Sequence, residues 1–428
     1  MDDIKADSRI KSQDEMDRRP NQEVIFESAI SESKVFSPIR LGDLELPNRV
    51  LRTAAFEGMC PDGIPSDELI EHHRKMAAGG VGMTTVAYCS VSPLGLTFKD
   101  QMWMRPEVVA GLKNLTRAVH AEGGAACLQL GHAGYFADKQ TIGRSPMGAS
   151  KVFNLYGLAM AKEMNESEIQ GVVEDFVRSV RMARDAGFDS VELHMGHGYL
   201  LSQFLSPFTN RRKDSWGGSL ENRMKLPLEV ARKVRDAVGP GFPLLAKINL
   251  SDGFKKGLPM DEAVEFARAL DSDGSITALV LSGGFVSRTP WYMIRGRVPI
   301  KEMAAVQKKW IRRMGLTFFG RVFVGFYPYE DLFFLKDASK VRKAVEMPLV
   351  LVGGVRSREG MKKAMDEGFD MVAIGRALIM DPDFVKKIRA GELDVSECDQ
   401  CNRCISEMEK NGIRCVTLED GPLPSHEV

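Results

Sequence analysis

The chain has 428 residues, 44% of them hydrophobic, and 58 basic side chains balance 58 acidic ones, so its formal net charge is zero. That balance gives no overall attraction toward nucleic acid or an anionic membrane, and no run approaches the roughly 20 apolar residues that cross a bilayer. Such a length accommodates two or three small domains or one large repeating α/β unit.

The first stretch, Met1 to Lys34, is rich in Asp, Glu, Lys, Arg and Ser and has no apolar segment of the secretory kind. It reads as a disordered charged tail over residues 1–34, and the whole as a soluble cytoplasmic protein. From residue 50 onward, short apolar runs alternate with longer amphipathic ones. The runs are Val50 to Ala55, Val81 to Tyr88, Ala125 to Leu130, Ser190 to Met195, Leu244 to Leu250, Ala278 to Ser282, Leu349 to Val352 and Met371 to Ile374. Continuous apolar strands of this kind fit a parallel sheet covered on both faces.

The segments between them carry helix signals. Ser66 to Ala78 stops at Gly79-Gly80 and Pro106 to Glu122 at Gly123-Gly124, the glycine stop of a helix C-terminus. Asn165-Glu-Ser-Glu168 offers a capping start for a stripe of Ile169, Val172, Val173, Phe176 and Val180. Eight strands in series, most followed by a helix, predict a closed (β/α)8 TIM barrel, with an open doubly wound sheet as the rival. Two connections are too long for plain loops: Gly131 to Met164 and Gly283 to Met347. The second contains Trp291-Tyr292 and an aromatic run from Phe318 to Tyr329, which either packs or covers a substrate.

Reactive groups of such a barrel project from the C-terminal strand ends. There the sequence places Gln129, His194, His197, Lys247, Gly353-Gly354 and Gly375-Arg376. Glycines after the seventh and eighth strands suit a phosphate, and Arg376 adds a charge-assisted donor. His194 and His197 with Tyr199 form a polar cluster that folding alone does not require. A His-x-x-His metal pair is the alternative, although no third ligand lies close in sequence.

Four motifs together resemble the old yellow enzyme family of FMN-dependent oxidoreductases, in the branch of 2,4-dienoyl-CoA reductase and trimethylamine dehydrogenase. They are Pro47-Asn48-Arg49-Val50, Gln129-Leu-Gly-His132-Ala-Gly134, the stretch from His194 to Arg223, and Ile374-Gly-Arg-Ala377. The resemblance implies an FMN barrel over residues 35–390, with Thr53, Ala54, Ala55, Phe56 and Tyr88 along the flavin. Gln129 would face its pyrimidine edge, Lys247 its N1 and O2, and Gly353, Gly354, Gly375 and Arg376 its phosphate. His194 and His197 would hold an electron-withdrawing oxygen of the substrate and Tyr199 would donate the proton. Hydride transfer to an activated alkene builds enolate charge on that oxygen, where two imidazoles lower the barrier, while a phenol protonates the α-carbon.

The implied activity is NAD(P)H-dependent reduction of an electron-poor C=C bond of a small molecule. Two alternatives stand: a flavin-dependent dehydrogenase oxidising an amine or alicyclic compound, and a flavin-holding protein without turnover. Three positions depart from the family pattern: Tyr135 and Lys247 stand where arginine is common, and Phe56 replaces a small polar or sulfur residue. Members are often homo-oligomeric.

The cysteines of the segment 391–428, Cys398, Cys401, Cys404 and Cys415, crowd together in a way that suggests metal or cluster binding over a disulfide framework. The same resemblance implies a 4Fe-4S cluster. Zinc, or a thiol site without metal, is the competing reading. The chain ends at Val428 without the FAD/NAD(P)H domain that such enzymes append, which leaves room for a separate electron-transfer partner.

Overall fold

A computed structural model describes residues 34–154, 157–307, 310, 313–315, 317–318, 325–410 and 412–420. The expected tail, from residue 1 to 33, and residues 319–324 of the aromatic run lie outside the described residues. Eight parallel strands close into a barrel in chain order: β1 Val50–Arg52, β2 Met83–Ser90, β3 Ala125–Gly131, β4 Ser190–Met195, β5 Leu244–Asn249, β6 Ala278–Ser282, β7 Leu349–Val352 and β8 Met371–Ile374. The open-sheet alternative is thereby excluded, since β8 pairs back onto β1 through Ile374 and Arg52.

Helices α1 Asp67–Ala78, α2 Pro106–Ala121, α3 Glu166–Asp185, α4 Leu220–Val238, α5 Met260–Asp273, α6 Leu335–Arg342 and α7 Arg358–Asp366 form the outer layer. Local chemistry sets where they begin. Ahead of α3, Asn165 Oδ1 accepts from the Glu168 N–H and Glu168 Oε2 accepts from the Asn165 N–H, each at 2.9 Å, a reciprocal cap worth about 1 kcal/mol. The stripe Ile169, Val172, Val173, Phe176 and Val180 is buried against the barrel wall.

The barrel interior is divided along its axis. An antiparallel hairpin, Ile39–Leu41 with Leu44–Leu46, closes the N-terminal end. Leu41 and Leu46 meet Leu51, Met83, Cys127, Leu245, Val280, Val350 and Met371 there. Burying each leucine contributes roughly 2 kcal/mol. The apolar plug leaves polar inward positions only toward the C-terminal end.

Strand β1 is shorter than the apolar run suggests. Arg52 Nη2 turns back to the Ala55 carbonyl at 3.2 Å and Nη1 to Glu57 Oε1 at 2.6 Å. Past Thr53, whose N–H still donates to the Ile374 carbonyl at 2.9 Å, the chain leaves the sheet, and residues 53–56 form a half-buried strip between two buried ends. In the long connection after β6, Trp291 is buried and Tyr292 packs on Tyr327 and Phe334, so these aromatics fill space. Trp310, Met314, Phe318 and Phe326 stand exposed. No helix among the described residues is long and apolar enough to cross a membrane.

Candidate active site

At the C-terminal end of the barrel, β3, β4 and β5 bring three buried polar side chains together. Gln129 Nε2 donates to Glu192 Oε1 at 2.6 Å, and Lys247 Nζ lies 2.9 Å from the same oxygen. Strand register dictates this: Glu192 pairs with Gln129 on one side, and His194, two residues on and on the same face, pairs with Lys247 on the other. Lys247 also donates to Thr53 Oγ1 at 3.2 Å, joining the network to the strip 53–56. Sequence reasoning missed Glu192. A glutamate inside an apolar strand facing a lysine was the available signal.

One layer further out lie the rings. His194 and Tyr199 have centroids 4.5 Å apart, His194 and His197 5.0 Å, and Tyr88 and Tyr199 4.8 Å. Tyr88 stands where the pairing of β2 with β3 shifts register between Val86 and Cys89, an irregularity of the kind that re-aims a side chain. Its hydroxyl meets Thr97 Oγ1 at 2.6 Å. Gly131 lets the cluster close, because a Cβ there would lie 3.2 Å from the Tyr88 ring and 3.3 Å from His194 Cβ.

The turn through His197 and Gly198 is left-handed at both residues, with φ of 59° and 79°. Asn249 Oδ1 holds it by accepting the His197 N–H at 2.9 Å, and a Cβ on Gly198 would collide with Phe285. The His-x-x-His spacing therefore serves two imidazoles at one strand end. Among the described residues, no group of three His, Cys, Asp or Glu is placed to hold a metal ion.

Burial keeps both imidazoles neutral. It pushes His197 down to about 3 and His194 well below the usual histidine range, with the Lys247 charge acting in the same direction on each. His194 Nδ1 accepts the Gly196 N–H at 3.4 Å, so the neutral ring carries its proton on Nε2 and offers a donor there. His197 Nε2 meets Ser282 Oγ at 2.7 Å. Desolvation raises Tyr88 to about 12, against the bonds it makes to Thr97, Gln101 and Tyr199.

The other expected contacts divide. Ala54 packs beside the Tyr88–Tyr199 group, and Phe56 stacks on Phe98 at 4.7 Å. Gly375 adjoins Thr53, and Gly353 and Gly354 both adopt positive φ. Arg376 points elsewhere: its guanidinium donates to the carbonyls of Arg295 (3.0 Å) and Ile294 (2.6 Å) and to Asn402 Oδ1 (2.6 Å). It also lines a cleft of about 320 Å³ shared with Cys398, Cys401, Cys404 and Cys415. These thiols are free, and burial raises Cys404 to about 12 against the pull of Arg376.

Beside the glycine loop, Arg295 stacks on Phe333, the side chain a Cβ on Gly353 would strike. Arg295 Nε and Arg297 Nη1 are buried without a hydrogen-bond partner among the described residues. Buried cationic donors lacking an acceptor fit an anionic group such as a phosphate. These arginines, too, went unnoticed in the sequence, because they sit in the long connection after β6 and outside any motif.

The model of the NADH:flavin oxidoreductase / NADH oxidase family matches residues 34–287 and 329–394. The chain belongs to that family. This flavin oxidoreductase is 43% identical over 385 residues to 4,4'-dithiodibutanoate disulfide reductase of Rhodococcus erythropolis, an alignment covering 90% of this chain and 95% of that protein. It is 31% identical over 374 residues to an NADH oxidase of Thermoanaerobacter brockii, covering 86% of this chain but 52% of the relative. Among solved structures, an old yellow enzyme homologue from Zymomonas mobilis superposes with a TM-score of 0.69 at 22% identity, covering 91% of this chain and all of that one. The expected old yellow enzyme type barrel and FMN-dependent oxidoreductase class are thus borne out. The family match breaks off over residues 288–328.

Proposed function

We propose that this flavin oxidoreductase uses NAD(P)H to reduce an activated C=C bond of a small molecule held at His194, His197 and Tyr199. One observation carries the reading: two neutral imidazoles and two phenols stand together directly above the Gln129–Glu192–Lys247 network at one barrel end. Bound FMN would supply the two-electron chemistry, with Gln129, Lys247 and Thr53 beside its ring system and Gly353, Gly354, Gly375 and the nearby arginines at its phosphate. The His194 Nε2–H would donate to the substrate oxygen and gain strength as negative charge grows there. His197, oriented by Asn249 and Ser282, would act on the same oxygen. Tyr199 would deliver the proton to the α-carbon. Burial of the cluster would keep water away from the transfer.

A second reading is favoured by the 43% identity to the Rhodococcus erythropolis enzyme over almost all of both chains. In it the same site reduces an organic disulfide: two electrons and two protons convert the S–S bond into two thiols, Tyr199 protonating the departing sulfur while the His194 Nε2–H donates a hydrogen bond to it and the second proton comes from solvent. The four cysteines beside Arg376 are not placed to share a single metal ion but line one cleft, and they are proposed to hold a larger 4Fe-4S cluster, which would supply one-electron transfer when bound.

Anaerobic stopped-flow absorbance on the flavin-loaded protein tests these readings. Bleaching by NADH or NADPH followed by reoxidation with 2-cyclohexenone supports alkene reduction. Reoxidation by 4,4'-dithiodibutanoate and not by the enone moves the assignment to disulfide reduction. Bleaching by an amine in the absence of NAD(P)H points to a dehydrogenase, and a protein unable to retain FMN refutes all three.

A further inference from the structure

Around the active-site mouth, the loop after β6 runs from the catalytic turn into the part of the chain that the family pattern does not cover. Val286 donates its N–H to the His197 carbonyl at 2.9 Å and packs against the Tyr88–Tyr199 group. Arg288 follows two residues later, the first residue beyond the family match. Two residues of chain span about 7 Å at most, so Arg288 is tethered close to the reacting groups.

Its guanidinium lies 4.7 Å over the ring of Phe208, and that of Arg211 lies 5.7 Å from the same ring. Phe208 packs edge-on against Phe285, the side chain that touches Gly198 in the catalytic turn. Arg211 and Arg288 are both exposed. Neither has an ion-pair partner among the described residues, and the only side-chain hydrogen bond of the pair runs from Arg211 Nε to the Phe208 carbonyl. Asp252, whose charge reaches nearby Tyr135, is buried and already accepts from Ser206, Leu258 and Asn249.

Each cation is attracted to the ring face, but two like charges sharing one ring repel. An anion between them would reverse that sign, and planar guanidinium forks match a carboxylate in two-point fashion. Adjacent Tyr135 and Ser287 are occupied with each other, their hydroxyls being hydrogen-bonded. Among the described residues, the Arg288 side chain thus makes no hydrogen bond or ion pair, and that of Arg211 only the hydrogen bond to the Phe208 carbonyl.

We propose that Arg288, with Arg211 at the same Phe208 ring, forms a carboxylate subsite, so that the substrates of this enzyme are small organic acids. The inference rests on the reading of His194, His197 and Tyr199 as the place of reduction and adds the group that anchors the remote end of the substrate.

Calorimetric titration of the oxidised, FMN-loaded protein with 3,3'-dithiodipropionate and with its dimethyl ester separates the subsite from the reaction, since no reductant is present. The diacid is expected to bind at least tenfold more tightly than the diester. Added salt should shrink that preference. Arg288→Ala should abolish about tenfold of it, Arg288→Lys should retain part of it, and flavin content and melting temperature should stay unchanged because the side chain is exposed. Equal affinities for acid and ester, or an acid preference surviving in both Arg288→Ala and Arg211→Ala, would overturn the proposal. A preference that depends on Arg288 in a protein whose flavin NAD(P)H cannot reduce would leave the subsite standing and reject the reduction chemistry.

Discussion

Glu192 and Lys247 are both buried, 2.9 Å apart, and the carboxylate also takes the Gln129 amide at 2.6 Å. Replacing Glu192 by Gln keeps the volume but leaves the Lys247 ammonium with neutral acceptors, such as Thr53 Oγ1, in place of its carboxylate. Removing one member of a buried pair costs about 3–5 kcal/mol, because the other charge stays desolvated and uncompensated. Lys247→Met should cost a similar amount, whereas the Glu192→Gln/Lys247→Met double variant removes both charges and should recover most of the loss. Urea unfolding of the flavin-free protein, monitored by tryptophan fluorescence, reads the difference. With a slope near 3 kcal/mol/M, each single change should lower the midpoint by about 1 M. Losses below about 1 kcal/mol, or a double variant equal to the sum of the singles, would refute the argument that these charges depend on each other.

Tyr199→Phe should slow alkene reduction by about 10²-fold or more while NAD(P)H still reduces the flavin at the original rate; unchanged rates for both halves in stopped-flow assays would remove Tyr199 as proton donor. Burial lowers His132 to about 4 and, together with the Lys247 charge, His197 to about 3. The folded protein therefore binds fewer protons than the unfolded chain between about pH 6.5 and those values, and the stability present above pH 6.5 is lost as the pH falls, by about 2 kcal/mol for each ring at pH 5. Denaturation midpoints that stay flat from pH 7 to 5 would contradict this. Anaerobically purified protein should contain iron and acid-labile sulfide that Cys404→Ser eliminates while FMN remains; a wild-type protein with flavin but no iron would reject the cluster.

The barrel was legible because each strand is a continuous apolar run flanked by glycine stops, and nothing in the tertiary structure overrides that signal. The second strand runs from Met83 to Ser90, two residues later at both ends than the apolar run, and the early end of the first strand, at residues 53–55, follows from Arg52. A buried arginine must find acceptors, and beside the Thr85 carbonyl of the next strand it takes the Ala55 carbonyl and Glu57, which turns the chain out of the sheet. The imidazole and phenol cluster was legible because its members lie within six residues. Glu192 was hidden because its importance comes from two different strands, a relation that sequence spacing does not record. Arg297 and Arg288 were hidden for another reason: they belong to the long connection that carries no periodicity and no family pattern. For Arg376, the sequence suggested a phosphate ligand, while its guanidinium bonds knit together residues 294–295 and Asn402.

That knot ties the rim of the barrel to its C-terminal appendage. A single guanidinium anchored behind the last strand fastens an excursion outside the family match to the cysteine loop, so neither can drift without tugging on the other. A disturbance of the cysteine loop should thus be felt at Arg295, which stacks on Phe333 beside the Gly353 turn.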